Sequence, residues 1–202
     1  TIAGNILTEG SNVTVTVDPV FENAGSSNPN YEYATISSEA EFFAAVNSTT
    51  GGQYILISDI DVDGVYASTN AATRTSTINK TVNINLNGKT ISNVGGYAIE
   101  NYGELTISGD GDFEGLGGIR SHAGKLTING GDYTCSSNWS NGTYNHILKA
   151  ENSEVVINGG TFDATIGGTN NAMINVSENS VVTINGGTFK NVNGTIPQFA
   201  PY

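Results

Sequence analysis

An all-β solenoid, wound as a parallel β-helix of about six turns, is the fold class that this chain of 202 residues predicts, on three observations. First, one short phrase keeps returning: Ile57-Ser58-Asp59-Ile60-Asp61-Val62, Leu86-Asn87-Gly88-Lys89-Thr90-Ile91, Ile107-Ser108-Gly109-Asp110-Gly111-Asp112-Phe113, Ile128-Asn129-Gly130-Gly131-Asp132-Tyr133, Ile157-Asn158-Gly159-Gly160-Thr161-Phe162 and Ile184-Asn185-Gly186-Gly187-Thr188-Phe189. Its lead residues fall at 57, 86, 107, 128, 157 and 184, so the spacing runs 29, 21, 21, 29 and 27 residues, a solenoid period. Second, the residues before each lead alternate as strands do: Leu105/Ile107, Leu126/Ile128, Val155/Ile157 and Val182/Ile184 face inward with Thr106 and its equivalents outward. Third, Gly, Thr, Ser and Asn are abundant and only 13% of residues are charged, a composition suited to turns and strand faces.

Residues 1–33 stand apart from the repeats. Val13-Thr14-Val15-Thr16-Val17 alternates like a half-buried strand, and Asp18-Pro19 with Gly25-Ser26-Ser27-Asn28-Pro29 reads as turn and linker. This piece is expected to attach the chain to a neighbour or parent assembly. Residues 34–52 form a linker and a capping helix: Ser38-x-x-Glu41 is a capping box, with Phe42, Phe43, Ala45 and Val46 at helical spacing over 38–47. An open solenoid end exposes core and unpaired strand edges, so this helix is expected to be its lid.

The coil is assigned to 53–192. A second inward column follows each lead: Val62, Ile91, Phe113, Tyr133, Phe162 and Phe189, whose rings would stack at the inter-strand spacing of about 4.8 Å. Between the columns lies a polar one, Ser58, Asn87, Ser108, Asn129, Asn158 and Asn185, mostly followed by Gly. Asn tolerates left-handed backbone and Gly supplies positive φ, so this is expected to be a corner with an Asn ladder inside it. Residues 193–202 carry Ile196, Pro197, Phe199 and Tyr202, and are read as an end cap or subunit interface.

The Asn-Gly-Gly-x-(Phe/Tyr) corners, the helix and Leu86-Asn87-Gly88-Lys89-Thr90-Ile91 resemble right-handed parallel β-helix proteins of the pectate-lyase-like superfamily, over about 35–192. More narrowly they resemble the Gly- and Thr-rich members found in phage fibres, tailspikes and decoration proteins and in bacterial surface adhesins. The resemblance implies right-handed winding, display on a virion or bacterial surface, and trimeric assembly. It leaves activity open, because this fold carries lyases, hydrolases, adhesins and inert spacers.

Charge and cysteine usage exclude further classes. A net charge of −12 with seven basic residues gives no basic patch for nucleic acid or anionic membranes. No apolar run of about 18 residues is present to span a bilayer as a helix. Cys135 is the single cysteine, so no intrachain disulfide forms; this fits a reducing cytosol or a bacterial exterior. The chain opens on Thr1 without a signal pattern and is read as mature or a fragment. Seven Asn-x-Ser/Thr triplets, at Asn12, Asn47, Asn79, Asn138, Asn141, Asn175 and Asn193, are read as products of composition.

No cofactor is predicted. Asp59-x-Asp61-x-Asp63-Gly64 opens like an EF-hand loop, but its twelfth position is Asn70 where a bidentate Glu is needed, so calcium is a minor reading. Asp61, Asp112 and Asp132 are aligned in one outward column, and the last two, on consecutive turns, would sit about 5 Å apart, as a retaining glycosidase pair does. They are the catalytic candidates of an alternative reading as a polysaccharide lyase or hydrolase. The lyase chemistry that the resemblance implies also needs an Arg or Lys base. Arg120 aligns instead with Glu100 and Lys149, as an ion pair between turns. His122 and His146 lack a Ser, Cys or Asp at triad offsets.

Three long connections, 63–78, 134–146 and 163–173, leave one corner of the coil, a usual recognition edge in solenoids. The second carries Trp139 and Tyr144 with Asn138, Asn141 and Asn145; the third adds Asn170 and Asn171. An aromatic beside amides suits a sugar ring, and Trp139 alternatively folds back over the coil. The leading expectation is a non-enzymatic structural or adhesive protein, with weak glycan binding at this edge. Outward Thr90, Thr106, Thr127, Thr161, Thr183 and Thr188 are too interrupted for an ice-binding array.

Overall fold

The computed structural model describes residues 33–62, 74–75, 81–93, 97–115, 118–134, 146–163, 173–177, 179–190 and 200–201. They form one short helix and a set of parallel strands coiled into a solenoid. The chain begins with β1 (Ala34–Ile36), α1 (Glu39–Val46), β2 (Gly52–Leu56), β3 (Ile60–Val62) and β4 (Arg74–Thr75). It continues with β5 (Thr81–Asn85), β6 (Lys89–Asn93), β7 (Ile99–Asn101), β8 (Glu104–Ser108), β9 (Gly111–Gly115) and β10 (Ile119–His122). Then follow β11 (Lys125–Ile128), β12 (Asp132–Thr134), β13 (Leu148–Glu151), β14 (Glu154–Ile157), β15 (Thr161–Asp163) and β16 (Ile174–Ser177), and finally β17 (Val181–Ile184), β18 (Thr188–Lys190) and β19 (Ala200–Pro201). From β2 onward each circuit adds one strand to each of three sheets, ordered β1-β2-β5-β8-β11-β14-β17, β3-β6-β9-β12-β15-β18 and β4-β7-β10-β13-β16-β19. We call these the first, second and third sheets.

Register follows from alternation, because slipping by one residue would turn every apolar side chain to solvent. In the first sheet the inward columns are Tyr54–Ile84–Ile107–Ile128–Ile157–Ile184 and Val82–Leu105–Leu126–Val155–Val182. In the third sheet Ile99, Ile119, Leu148 and Ile174 stack. In the second sheet the column is Ile60–Ile91–Phe113–Tyr133–Phe162–Phe189. Its four rings stack with centroids 5.1, 4.8 and 5.1 Å apart and planes within 11° of parallel. Offset stacking of this kind adds about 0.5–1.5 kcal/mol per pair beyond the area buried.

The two earliest copies of the phrase sit in a different register from the one expected. The true leads are Tyr54 and Ile84, not Ile57 and Leu86. Val82 and Ile84 alternate inward, and Leu86 adds a third buried residue two positions on, at the corner, whereas Ile57 is 47% exposed. Likewise Ile60, not Val62, joins the aromatic column, because Val62 is paired with Asn93. Asp61 therefore leaves the column of Asp112 and Asp132: it is paired with Ser92, and Ser92 with Glu114.

The corner between the first and second sheets carries the glycines. At the Gly-Gly turns the chain passes close over the preceding turn; Gly160 has φ +97°, and a Cβ there would lie 2.8 Å from the Gly131 carbonyl oxygen. Gly160→Ala is expected to lower unfolding free energy by about 1–3 kcal/mol, measured by urea denaturation. Alongside runs the Asn ladder: Asn158 Nδ2 donates to Asn129 Oδ1 and Asn185 Nδ2 to Asn158 Oδ1, both at 2.8 Å. It lies on the exposed side of the corner, not inside it, since inward positions here are taken by the apolar columns. Asn87 is outside this ladder: with φ +51° it turns its amide back to the Leu56 carbonyl, 2.9 Å away. The buried polar corner is elsewhere, between the third and first sheets, where Asn101 donates to Ser121 Oγ and the Lys125 carbonyl and accepts from Gly103 N–H.

α1 starts at Ser38, whose hydroxyl accepts from Glu41 N–H at 3.3 Å. Glu41 completes the cap one residue earlier than a capping box would, accepting from both the N–H and the hydroxyl of Ser37 at 2.7 Å. Those bonds hold its carboxyl below the usual range. Phe42, Ala45 and Val46 are buried in the common core, and α1 packs against β1 and β3. β1 falls in the stretch read as linker; three residues are too few for alternation to announce a strand. At the other end of the coil, Val181 and Ile184 of β17 are 61% and 38% exposed.

Candidate functional site

Two groups of polar side chains on the outer faces are the candidates. The first is on the second sheet. Asp112 of β9 and Asp132 of β12 are direct register partners, both outward. Thr90, the partner of Asp112 on the other side, donates its hydroxyl to Asp112 Oδ2 at 3.4 Å. Next to Asp132 a trough of about 550 Å³ follows the Gly-Gly corner, lined by Asp110, Asn129, Asp132, Thr161, Thr188 and glycine backbone. Among the described residues no Lys, Arg or His lines it. Asp59 and Asp61 turn to the next strand: Asp59 Oδ1 accepts from Thr90 N–H and Asp61 Oδ1 from the Ser92 hydroxyl, each at 3.0 Å. Among the described residues no three His, Cys, Asp or Glu side chains converge as a metal-binding group.

The second group lies on the third sheet, where period-2 geometry puts Glu100, Arg120, Lys149 and Asn175 in one outward column. Arg120 Nη1 reaches Glu100 Oε1 at 3.4 Å. The centre of the group is a residue that sequence reasoning missed, Glu151. Its Oε2 accepts from Arg120 Nε at 2.7 Å and lies 3.0 Å from His122 Nδ1, and its Oε1 accepts from Lys149 Nζ at 2.6 Å. The signal was present: Glu151 stands two residues after Lys149, hence on the same face, and opposite His122 in register. Tyr102 stacks on the His122 ring, centroids 4.9 Å apart and planes at 11°, and gives its hydroxyl to Glu100 Oε2 at 3.4 Å.

These contacts set the protonation states. Burial pushes the Glu151 carboxyl up, but the hydrogen bonds and charges of Arg120 and Lys149 outweigh it, and the net direction is down. Burial likewise works against the Arg120 cation, and Glu151 and Glu100 reverse that, so its affinity for its proton rises. His122 is held below its usual range, chiefly by burial and then by the Arg120 charge. The arrangement is a charge-balanced knot across three turns, with both anions and both cations engaged.

The remaining predicted binding residues, Trp139, Tyr144, Asn138, Asn141, Asn145, Asn170 and Asn171, and also Asp63, lie outside the described residues. What the described strands do establish is their place of departure. The connections after Val62, Thr134 and Asp163 all run from the second sheet to the third. Of the Asn-x-Ser/Thr triplets, Asn47 is the C-cap of α1, its Nδ2 donating to the Phe43 carbonyl at 2.9 Å, and Asn175 is 3% exposed. Compared with known proteins, the chain matches no family model, no curated protein and no solved structure.

Proposed function

We propose that the chain is a non-enzymatic structural or adhesive element displayed on a surface, that of a virus particle or a bacterial cell. In this reading a coil of six turns, closed at one end by α1 as a lid, holds its long connections at one corner, and residues 1–33 attach it to the parent assembly as one of three copies. The observation that carries it is the use of the repeated polar and aromatic residues: Phe113, Tyr133, Phe162 and Phe189 stack, Asn129, Asn158 and Asn185 bond along the axis, and Glu151 ties neighbouring turns. Residues recur here for cohesion between turns. The right-handed winding and the kinship with phage fibres and bacterial adhesins that the corner motifs suggest belong to this proposal. Deleting residues 1–33 is expected to abolish incorporation into the parent assembly while the coil keeps its β circular dichroism. Undiminished incorporation would overturn the attachment role, and a glycan array probed with the full chain tests weak sugar binding at the loop corner.

A second reading has one observation in its favour. Asp112 and Asp132 are in direct register on an outer face, beside an open trough, the geometry a polysaccharide-cleaving pair would occupy. It predicts turnover on an acidic or neutral polysaccharide that Asp132→Asn abolishes. The first reading predicts no turnover across such a panel.

A further inference from the structure

The His122 ring occupies an unusual position in the charge knot. Its Nδ1 lies 3.0 Å from Glu151 Oε2, a contact that favours the neutral tautomer with its proton on Nδ1 and Nε2 as the acceptor. Nε2 is buried and has no hydrogen-bond partner among the described residues. One face of the ring is covered by Tyr102. The charged and titratable groups around it come from each packed strand: Glu100 of β7 with Tyr102 just after it, Arg120 of its own strand β10, and Lys149 and Glu151 of β13. A second proton on this ring would create a buried N–H with no acceptor, and would add a third cation beside Arg120 and Lys149.

We infer that the Arg120–His122–Glu151–Lys149 group is an acid-sensitive clasp, which binds β7, β10 and β13 together while His122 is neutral and loosens the third sheet when His122 becomes doubly protonated. One of the long connections from the second sheet, 134–146, leads onto β13, so acid would loosen the strand that this connection enters. Glu151 is itself held below its ordinary range, the hydrogen bonds and charges of Arg120 and Lys149 outweighing its burial, and the comparison with His122→Gln separates imidazole from carboxylate titration.

The sign follows from linkage. The folded value for His122 lies below the unfolded value near 6.5, so the unfolded chain takes up more protons between the two. The contribution is complete above the unfolded value and is lost as pH falls toward the folded one. The experiment is a thermal unfolding series of the full chain between pH 7.5 and 5.5, wild type against His122→Gln. The wild-type midpoint is expected to fall by about 2–4 °C across this range, and the variant's by distinctly less. Proton NMR of the wild-type histidine resonances supplies an independent reading, with the His122 imidazole expected to titrate below 6.5. A His122 titration at or above the ordinary value overturns the clasp, as does a midpoint that falls equally in both proteins. Should His122→Gln fail to fold, the NMR titration alone decides.

Discussion

Phe162→Ala is expected to lower the unfolding free energy by about 3–5 kcal/mol, because the ring is fully buried and stacked on both sides. Its loss removes apolar burial, leaves a cavity between Tyr133 and Phe189, and cuts the aromatic column into a pair above and a single ring below. Domains of ordinary stability have about 5–15 kcal/mol in total, so a sizeable part of the coil's stability is at stake. Urea unfolding followed by circular dichroism measures it. Phe162→Leu, which keeps the burial but loses the ring stacking, is expected to cost about 1–2 kcal/mol and serves where the alanine variant does not accumulate. Because solenoid stability is a sum of repeats and their interfaces, the loss should also broaden the transition by uncoupling turns on either side.

Glu151→Ala is the second large effect. The carboxylate is only 11% exposed and answers Arg120, His122 and Lys149 together, and its removal leaves two cations, each about 20% exposed, facing one another across neighbouring strands. Breaking a fully buried pair costs about 3–5 kcal/mol; with part of this group in contact with water, we expect about 2–3 kcal/mol. The same variant is expected to push His122 further below its usual range, since Glu151 favours its proton and Arg120 and Lys149 oppose it. Arg120→Met with Glu151→Leu, which removes one charge of each sign, should recover part of the loss, the remainder reflecting Glu100 and Lys149, which lose their ion-pair partners. Equal instability in the single and double variants would show that the side chains matter for shape and not for charge.

How far the sequence could be read depended on how local the signal was. The phrase Ile-Asn-Gly-Gly-x-(Tyr/Phe) at 128, 157 and 184 carries its own register, since each copy has an inward lead, a glycine turn and an inward ring. Leu86-Asn87-Gly88 imitates it in composition but comes after a strand that already has two inward residues, Val82 and Ile84. Only the pairing with β8 distinguishes the imitation from the repeat. Aligning turns places Arg120 opposite Glu100 and Lys149, whereas Glu151 lies one outward position further on, opposite His122, in a column that no repeated residue marks. The Asn ladder illustrates a different limit. Recurrence showed that these residues meet, but the choice between inside and outside rested on which side the apolar columns had filled.

The strand order of the first sheet also bears on mechanics. From β2 to β17 there are five inter-strand steps, so the coil advances only about 24 Å along its axis at about 4.8 Å per step. A single α-helix of about 16 residues would cover that distance. Reach is thus a poor explanation for this architecture. The length of chain goes instead into cross-section, a triangular block whose every level is hydrogen-bonded to the next and which therefore resists bending and torsion. An edge of such a block keeps the ends of successive strands at one fixed pitch, as teeth are held on a rack.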